Sequence, residues 1–295
     1  MNDTSISENY THQYGMSLSY NEWVESGQTG EVTALLEDGT TVTQTYRNGV
    51  LHGQASVTLP YSKKIAKTSS YEVGKVTEET LYLSNGLPAE KKEFSDDGTV
   101  RITAWYMTGS PKSIEIYQDT LLNRGEYFST KNERLATVVE GKGIRIRNNA
   151  KGLLLSEDEI EEGIMTLRKT FYSSGEPKSI TPYVNNKTDG ERKTFLSDGQ
   201  PKTIEAWSNG SKTGPTCIYS NGMLFSKVGY VNGMKQGLEK RFDEDGNVVE
   251  KTSWDKGLRH GPAYRYVGDR TYTDWFLKGK KVSKFTYEET LLNRN

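Results

Sequence analysis

The 295-residue chain has a single cysteine, Cys217, which rules out an internal disulfide and any multi-cysteine metal site. The alternation of its segment gives Cys217 an ordinary strand-packing role. Histidine is nearly missing too. Of His12, His52 and His260, the last two occupy the same repeat position, in VLHG and LRHG, where a turn role accounts for both. No apolar run is long enough to cross a bilayer, and no basic-then-apolar signal opens the chain, so the expected compartment is the cytoplasm. An excess of one charge is also absent. With 38 Lys+Arg against 39 Asp+Glu the net charge is −1, and no global field draws nucleic acid or an anionic bilayer. Apolar residues make up only 33% of the chain, too little for one large round core.

What the chain does have is repetition. An aromatic followed by a Gly-containing turn returns as Tyr183-VNNKTDG, Trp207-SNGSKTG, Tyr230-VNGMKQG, Trp254-DKGLRHG and Phe276-LKGK, at steps of 24, 23, 24 and 22 residues. The same register runs, more worn, through Trp23, Tyr46, Tyr71, Phe94 and Tyr117. Half a period away lies a second turn phrase, as in Leu36-EDG, Leu83-SNG, Tyr106-MTG, Tyr172-SSG, Phe195-LSDG and Phe242-DEDG. Longer copies, GSPKSIEIY, GEPKSITPY and GQPKTIEAW, and the pair YQDTLLNR and YEETLLNR, mark internal duplication. A sustained period near 23 means an array, since one unit cannot bury its apolar face alone.

The units are strands. Asn-Gly and Asp-Gly accept the positive backbone angles of tight hairpins, and they bound segments of seven to nine residues in which apolar and polar residues alternate. Pro111, Pro177 and Pro201 fall at strand starts, where a missing N–H is tolerated. The expected fold is therefore all-β, an elongated single-layer array of antiparallel hairpins. Its parts are a flexible leader over 1–22, repeats over 23–138, an irregular segment over 139–168, and repeats over 169–295. Within that segment Ser156 and Glu159 have capping-box spacing, with Ile160, Ile164 and Leu167 at helical spacing, so a short helix near 156–168 is one reading. Two degenerate repeats are the other, because Tyr117 to Tyr183 is close to three periods.

Chemistry is sparse. Asp96/Asp97 and Asp243/Asp245 look like paired carboxylates but sit in turns, where Asp bonds the backbone. The run Glu157, Asp158, Glu159, Glu161, Glu162 lacks the ligand spacing of a calcium loop and reads as a solvated helix start or charged edge. Arg145 and Arg147, in GKGIRIRNNAKG, would share one side of a strand and are the candidate anion-binding pair, against a role as edge charges that discourage aggregation. The aromatics Tyr183, Trp207, Tyr230 and Trp254 are expected to cover their neighbours' turns as a structural ladder. No catalytic residue, cofactor or metal site is expected.

The phrase Tyr230-VNGMKQGLEKRFDEDG, with its copies, resembles the variant class of MORN repeats, found in bacterial proteins often labelled YwqK-family antitoxins. The resemblance runs from about Thr170 to Gly279 and from Trp23 to Tyr117. It implies a meandering β array that binds another protein, a toxin or an assembly component, in an antitoxin, immunity-like or scaffolding role. Association of classical MORN arrays with membrane lipids is a further implication, although this chain departs from the G-x-G-x-Y order. The alternative is a bacterial effector exported without a cleaved signal peptide. An open array predicts a radius of gyration well above the roughly 19 Å of a compact chain of this length; small-angle scattering that returns the compact value overturns the linear reading.

Overall fold

Two kinds of turn set the architecture, and each is written in short side-chain chemistry. This computed structural model describes residues 5–292. On one side of each unit lie two-residue turns with both residues left-handed, such as Asn48-Gly49 in one and Asn209-Gly210, Asn232-Gly233 and Lys256-Gly257 in the other. Their φ values fall near +50° and +80°, the combination that matches strand twist and that Asn and Gly accept most readily. On the other side lie longer turns in which an Asx side chain takes the N–H two residues on, as Asp38 does from Thr40 at 2.8 Å and Asn85 from Leu87 at 3.0 Å.

Between the turns the paired strands of each unit run antiparallel. The chain divides into two units, the first reaching Leu153 and including Ile160–Gly163, the second comprising Leu154–Glu159 and everything from Ile164 on. In the first, strands follow one another from Gly30–Leu36 to Lys142–Asn148 as a meander, with Ser5–His12 added against Gly30–Leu36. In the second, the meander runs from Ile164–Phe171 to Lys280–Val282. The expected all-β antiparallel repeat is thus present, and Pro111, Pro177 and Pro201 each open a strand.

The two interiors differ. Tyr106, Leu122, Tyr127 and Val138 are buried in the first unit, where the Tyr106 hydroxyl donates to Phe128 C=O at 2.6 Å and accepts from Asn148 Nδ2 at 2.7 Å. The second buries mostly polar side chains, among them Ser179, Thr181, Glu205, Thr216, Ser226, Glu239 and Thr252, with Val228 the apolar exception. Such groups are costly inside unless bonded, and Thr216 Oγ1 has no partner among the described residues. Thr170 to Ser179 and Thr194 to Thr203, each at 2.7 Å between hydroxyls, are bonded to one another.

Three expectations need correction. Residues 156–168 form no helix: Leu154–Glu161 and Ile164–Phe171 are strands joined by the left-handed turn Glu162-Gly163, and Ser156, Asp158 and Ile160 alternate inward. The segment is thus built of strands and turns. The 1–22 leader is not frayed where it is described. Ser5–His12 pairs along Gly30–Leu36, and Ser19 and Glu22 close a capping box on the helix Tyr20–Glu25. The helix buries Trp23, whose ring lies 5.8 Å from Tyr10 and 6.2 Å from Tyr46; residues 1–4 lie outside the described residues. The duplicated octapeptide also splits: Tyr117 onward crosses a turn with Asp119 at φ +55°, whereas residues 287–292 of the second copy lie in the helix Lys284–Leu292. Glu289 replaces the left-handed-tolerant Asp119, and Ser283 Oγ accepts the Thr286 N–H at 3.0 Å as a helix cap.

Gly163 and Gly233 separate conformational strain from crowding. Both have positive φ, but a Cβ on Gly163 would stand 2.8 Å from Leu121 Cβ while one on Gly233 would meet nothing within 4 Å. Gly233→Ala is expected to cost about 1 kcal/mol, and Gly163→Ala about 2–3 kcal/mol, in urea unfolding.

Candidate functional site

The aromatics that mark the repeat stand at the two-residue turns, and five residues after each lies the residue that ties one repeat to the next. The C=O of that residue accepts the N–H of the following turn glycine. Gly210 donates to Thr188, Gly233 to Lys212 and Gly257 to Lys235, each at 2.9 Å, and Gly279 to Arg259 at 2.8 Å. In the second unit three of these residues are cations whose side chains lie against the aromatic rings. Lys212 Nζ is 5.8 Å from the Trp207 ring centre and 4.8 Å from that of Tyr230; Lys235 Nζ is 4.4 Å from Trp254; the Arg259 guanidinium is 5.9 Å from Trp254 and 5.2 Å from Phe276. The expected aromatic ladder is therefore a ladder of rings separated by cations, each contact worth about 0.5–2 kcal/mol.

Buried carboxylates complete the rungs. Glu205 accepts from Lys212 Nζ at 2.8 Å, and from Arg192 Nη1 and the Trp207 indole N–H, both at 3.0 Å. Glu239 accepts from Lys235 Nζ at 2.9 Å, the Trp254 indole at 2.8 Å and Ser226 Oγ at 3.1 Å. Burial pushes both carboxyls up, but these donors outweigh it and hold both below the usual glutamate range. Sequence reasoning missed this set. Its signal was a Lys or Arg five residues after Trp207, Tyr230 and Trp254, which acquires meaning only when successive repeats stack.

The rung after Tyr183 is different. Thr188 stands where the other rungs have a cation, and its short side chain leaves a groove of about 400 Å³ lined by Arg168, Tyr183, Thr188, Arg192 and Trp207. Arg168 is held by a bidentate pair to the fully buried Asp158, at 2.7 and 2.8 Å, and this raises its pKa further. Asp158, read from sequence as part of a solvated acidic run, is thus an interior anchor. Arg168 and Arg192 each spend only part of their five N–H donors on these carboxylates. With the hydroxyls of Thr170, Ser179 and Thr181, the groove can accept a small carboxylate between two aromatic walls.

The other sequence candidates fall elsewhere. Arg145 and Arg147 do share one side of the strand Lys142–Asn148; Arg145 is half-buried and reaches the Tyr117 hydroxyl at 3.4 Å, and Arg147 is exposed. That hydroxyl also donates to Glu115 at 2.8 Å, and burial, with the Glu115 charge and bond, pushes its pKa up to about 12. His52 Nδ1 accepts from Val73 N–H and His260 Nδ1 from Lys278 N–H, both at 3.4 Å, so the two hold equivalent turns. Among the described residues no three His, Cys, Asp or Glu side chains are placed to hold a metal ion, and no helix is long and apolar enough to cross a membrane.

The family profile described as MORN repeat variant matches residues 167–185 and 235–256, the segments that carry the Tyr183 turn and the Lys235 and Trp254 rung. At these two places the chain carries MORN repeat variants. MORN repeats are generally modules of protein or membrane interaction. No curated protein matches the chain. Among solved structures, the TcdB2–TccC3–Cdc42 crystal structure aligns with 83% of this chain and 20% of its own, at 10% identity and a TM-score of 0.22. A porin-like protein from Bacteroides uniformis aligns over 82% and 89%, at 10% identity and a TM-score of 0.16. Scores this low establish no common fold.

The carboxylate rungs have a testable pH signature. A carboxyl whose folded pKa is depressed contributes stability that is complete above its unfolded value, about 4.3 for Glu, and is lost as pH falls through the lower folded value. Thermal melts are expected to hold steady near neutrality and to fall on acidification below that point, and Glu205→Gln/Glu239→Gln is expected to blunt the fall. Lys235→Ala, which strands Glu239, is expected to cost about 2–3 kcal/mol near pH 7 in denaturant unfolding.

Proposed function

We propose that this MORN-variant chain is a non-enzymatic, cytoplasmic protein-binding module, acting in an antitoxin or immunity-like role or as a scaffold. The observation that carries the reading is a row of exposed apolar side chains beside the two-residue turns of the second unit: Val184, 56% exposed, Val231, 48%, Met234, 45%, and Leu258, 50%. Solvated turns need only polar residues there, and an apolar row on a charged, polar chain is the kind of surface that a partner covers. Two strands per repeat advance about 10 Å, so Val231, Met234 and Leu258 lie on neighbouring repeats, while the turn flanked by Ser208 and Ser211 separates them from Val184.

Alternation puts the groove at Thr188, lined by Tyr183, Trp207, Arg168 and Arg192, on the face opposite Val184, so it is a separate site for a small carboxylate and not part of this row. The partner surface that fits the row is apolar. In the antitoxin role that partner is a toxin, and in the scaffold role an assembly component.

The test is affinity capture from the native host with the intact chain and with Met234→Glu/Leu258→Glu, whose fold is checked by circular dichroism. One dominant protein, toxic when expressed alone, neutralised by the intact chain and released by the double variant, is the expected result for the antitoxin role. A non-toxic partner with the same loss points to the scaffold, and a partner held equally by both chains removes the turn row from the interface.

A further inference from the structure

The last full strand of the second unit, Arg270–Leu277, is only partly covered. On its inner side it pairs with Leu258–Val267 without a bulge, from Val267↔Arg270 to Gly261↔Phe276. On its outer side the short strand Lys280–Val282 reaches only as far as Trp275. The edge of Arg270–Asp274 has no neighbouring strand among the described residues, and all five side chains are exposed. The helix Lys284–Leu292 packs elsewhere, through Tyr287 against Trp275 at 5.1 Å and His260 at 5.5 Å. Alternation puts Trp275 on the face opposite Arg270, Tyr272 and Asp274.

We propose that this edge pairs with the same edge of a second copy of the chain, antiparallel, about a two-fold axis at Tyr272. Three features of the segment agree on that occupant. The first is hydrogen bonding. The two-residue Gly268-Asp269 turn closes on the bonded pair Val267 and Arg270, so Tyr272 and Asp274 also bond inward, while Thr271 and Thr273 direct their N–H and C=O outward. A two-fold axis at Tyr272 sets Thr271 opposite Thr273 of the second copy, and the reverse, so four outward groups on each chain pair completely. The second is charge. In that register Arg270 faces Asp274 of the second copy, twice over, and Tyr272 faces Tyr272. Each of these is a favourable cross-strand pair, at the non-bonded positions where side chains come closest. Arg270 makes no ion pair within its own chain among the described residues. Asp274 already holds Lys281 at 2.8 Å and has acceptor capacity left for a guanidinium. The third is length. The open notch is five residues long, closed at one end by Val282 opposite Trp275, and the segment offered to it is the same five residues, ended by its own turn.

A strand-edge contact of this size buries less than the roughly 800 Å² per partner of a standard interface, so the dimer is weak and concentration-dependent. The pairing is independent of the proposed binding row, and each can fail without the other. The test is sedimentation of the full chain over a concentration series, with Arg270→Asp, the charge swap Arg270→Asp/Asp274→Arg, and two cysteine variants in a Cys217→Ser background. At the axis the Tyr272 Cα atoms would be about 4.5 Å apart, within disulfide range, whereas Thr271 lies across from Thr273 and not from itself. The expected result is a dimer that Arg270→Asp dissociates and the swap restores, with Tyr272→Cys forming a disulfide-linked dimer and Thr271→Cys forming little. A chain monomeric at every concentration, or a dimer that survives Arg270→Asp and links as readily through Thr271→Cys, overturns the proposal.

Discussion

Everything in the second unit depends on one hydrogen bond made again at each repeat: the N–H of a turn glycine, given to the carbonyl five residues after the preceding aromatic. The bond needs a residue with positive φ whose N–H points back along the array, and glycine adopts that angle without strain. Space is not what demands it: a Cβ on Gly233 would meet nothing within 4 Å, and one on Gly257 or Gly279 would make ordinary contact with Met234 or Leu258, at 3.8 and 3.7 Å. Once the turns are stacked, the aromatics stand one repeat apart, and the side chain that shares its residue with the acceptor carbonyl lies between them. A cation there meets ring faces on one side and a buried carboxylate on the other, so the backbone ladder and the side-chain ladder position each other.

That arrangement explains how so polar a chain acquires an interior. Burial of apolar area cannot hold this unit together, because Thr, Ser and Glu make up most of what is buried. The stability comes instead from paired hydroxyls, charge-assisted bonds and rings spread over cations, groups that are costly inside unless every partner is present. The organisation suits a surface protein module. Apolar side chains are left over for the turns, where Val184, Val231, Met234 and Leu258 face outward, and the rung that lacks a cation becomes a groove instead of a contact.

Much of the fold was legible because turn chemistry is local. Asn-Gly and Asx-x-Gly phrases state which backbone angles are allowed, and the prolines mark strand starts in the same way. The errors share a cause as well. Ser156 and Glu159 have the spacing of a capping box and form none, whereas Ser19 and Glu22, with the same spacing, form one. The difference lies in what each segment packs against: Ser156, Asp158 and Ile160 alternate as the buried side chains of a strand, while the helix after Ser19 sets Trp23 against Tyr46. The candidate site was less legible. Asp158 looked like one charge in a solvated run, and nothing local says that it is buried against Arg168.

By itself, then, the sequence determined the period, the turns, the strand class and the repeat type, since each of these is settled within about ten residues by φ preferences and alternation. The tertiary structure alone decided which of two equal spacings becomes a helix, which copy of a duplicated octapeptide crosses a turn, where the ladder has a gap, and which strand edge stays open. Those outcomes depend on the residue one repeat away, more than twenty positions along the chain, and the free energy that selects among them exists only after stacking has brought the two together.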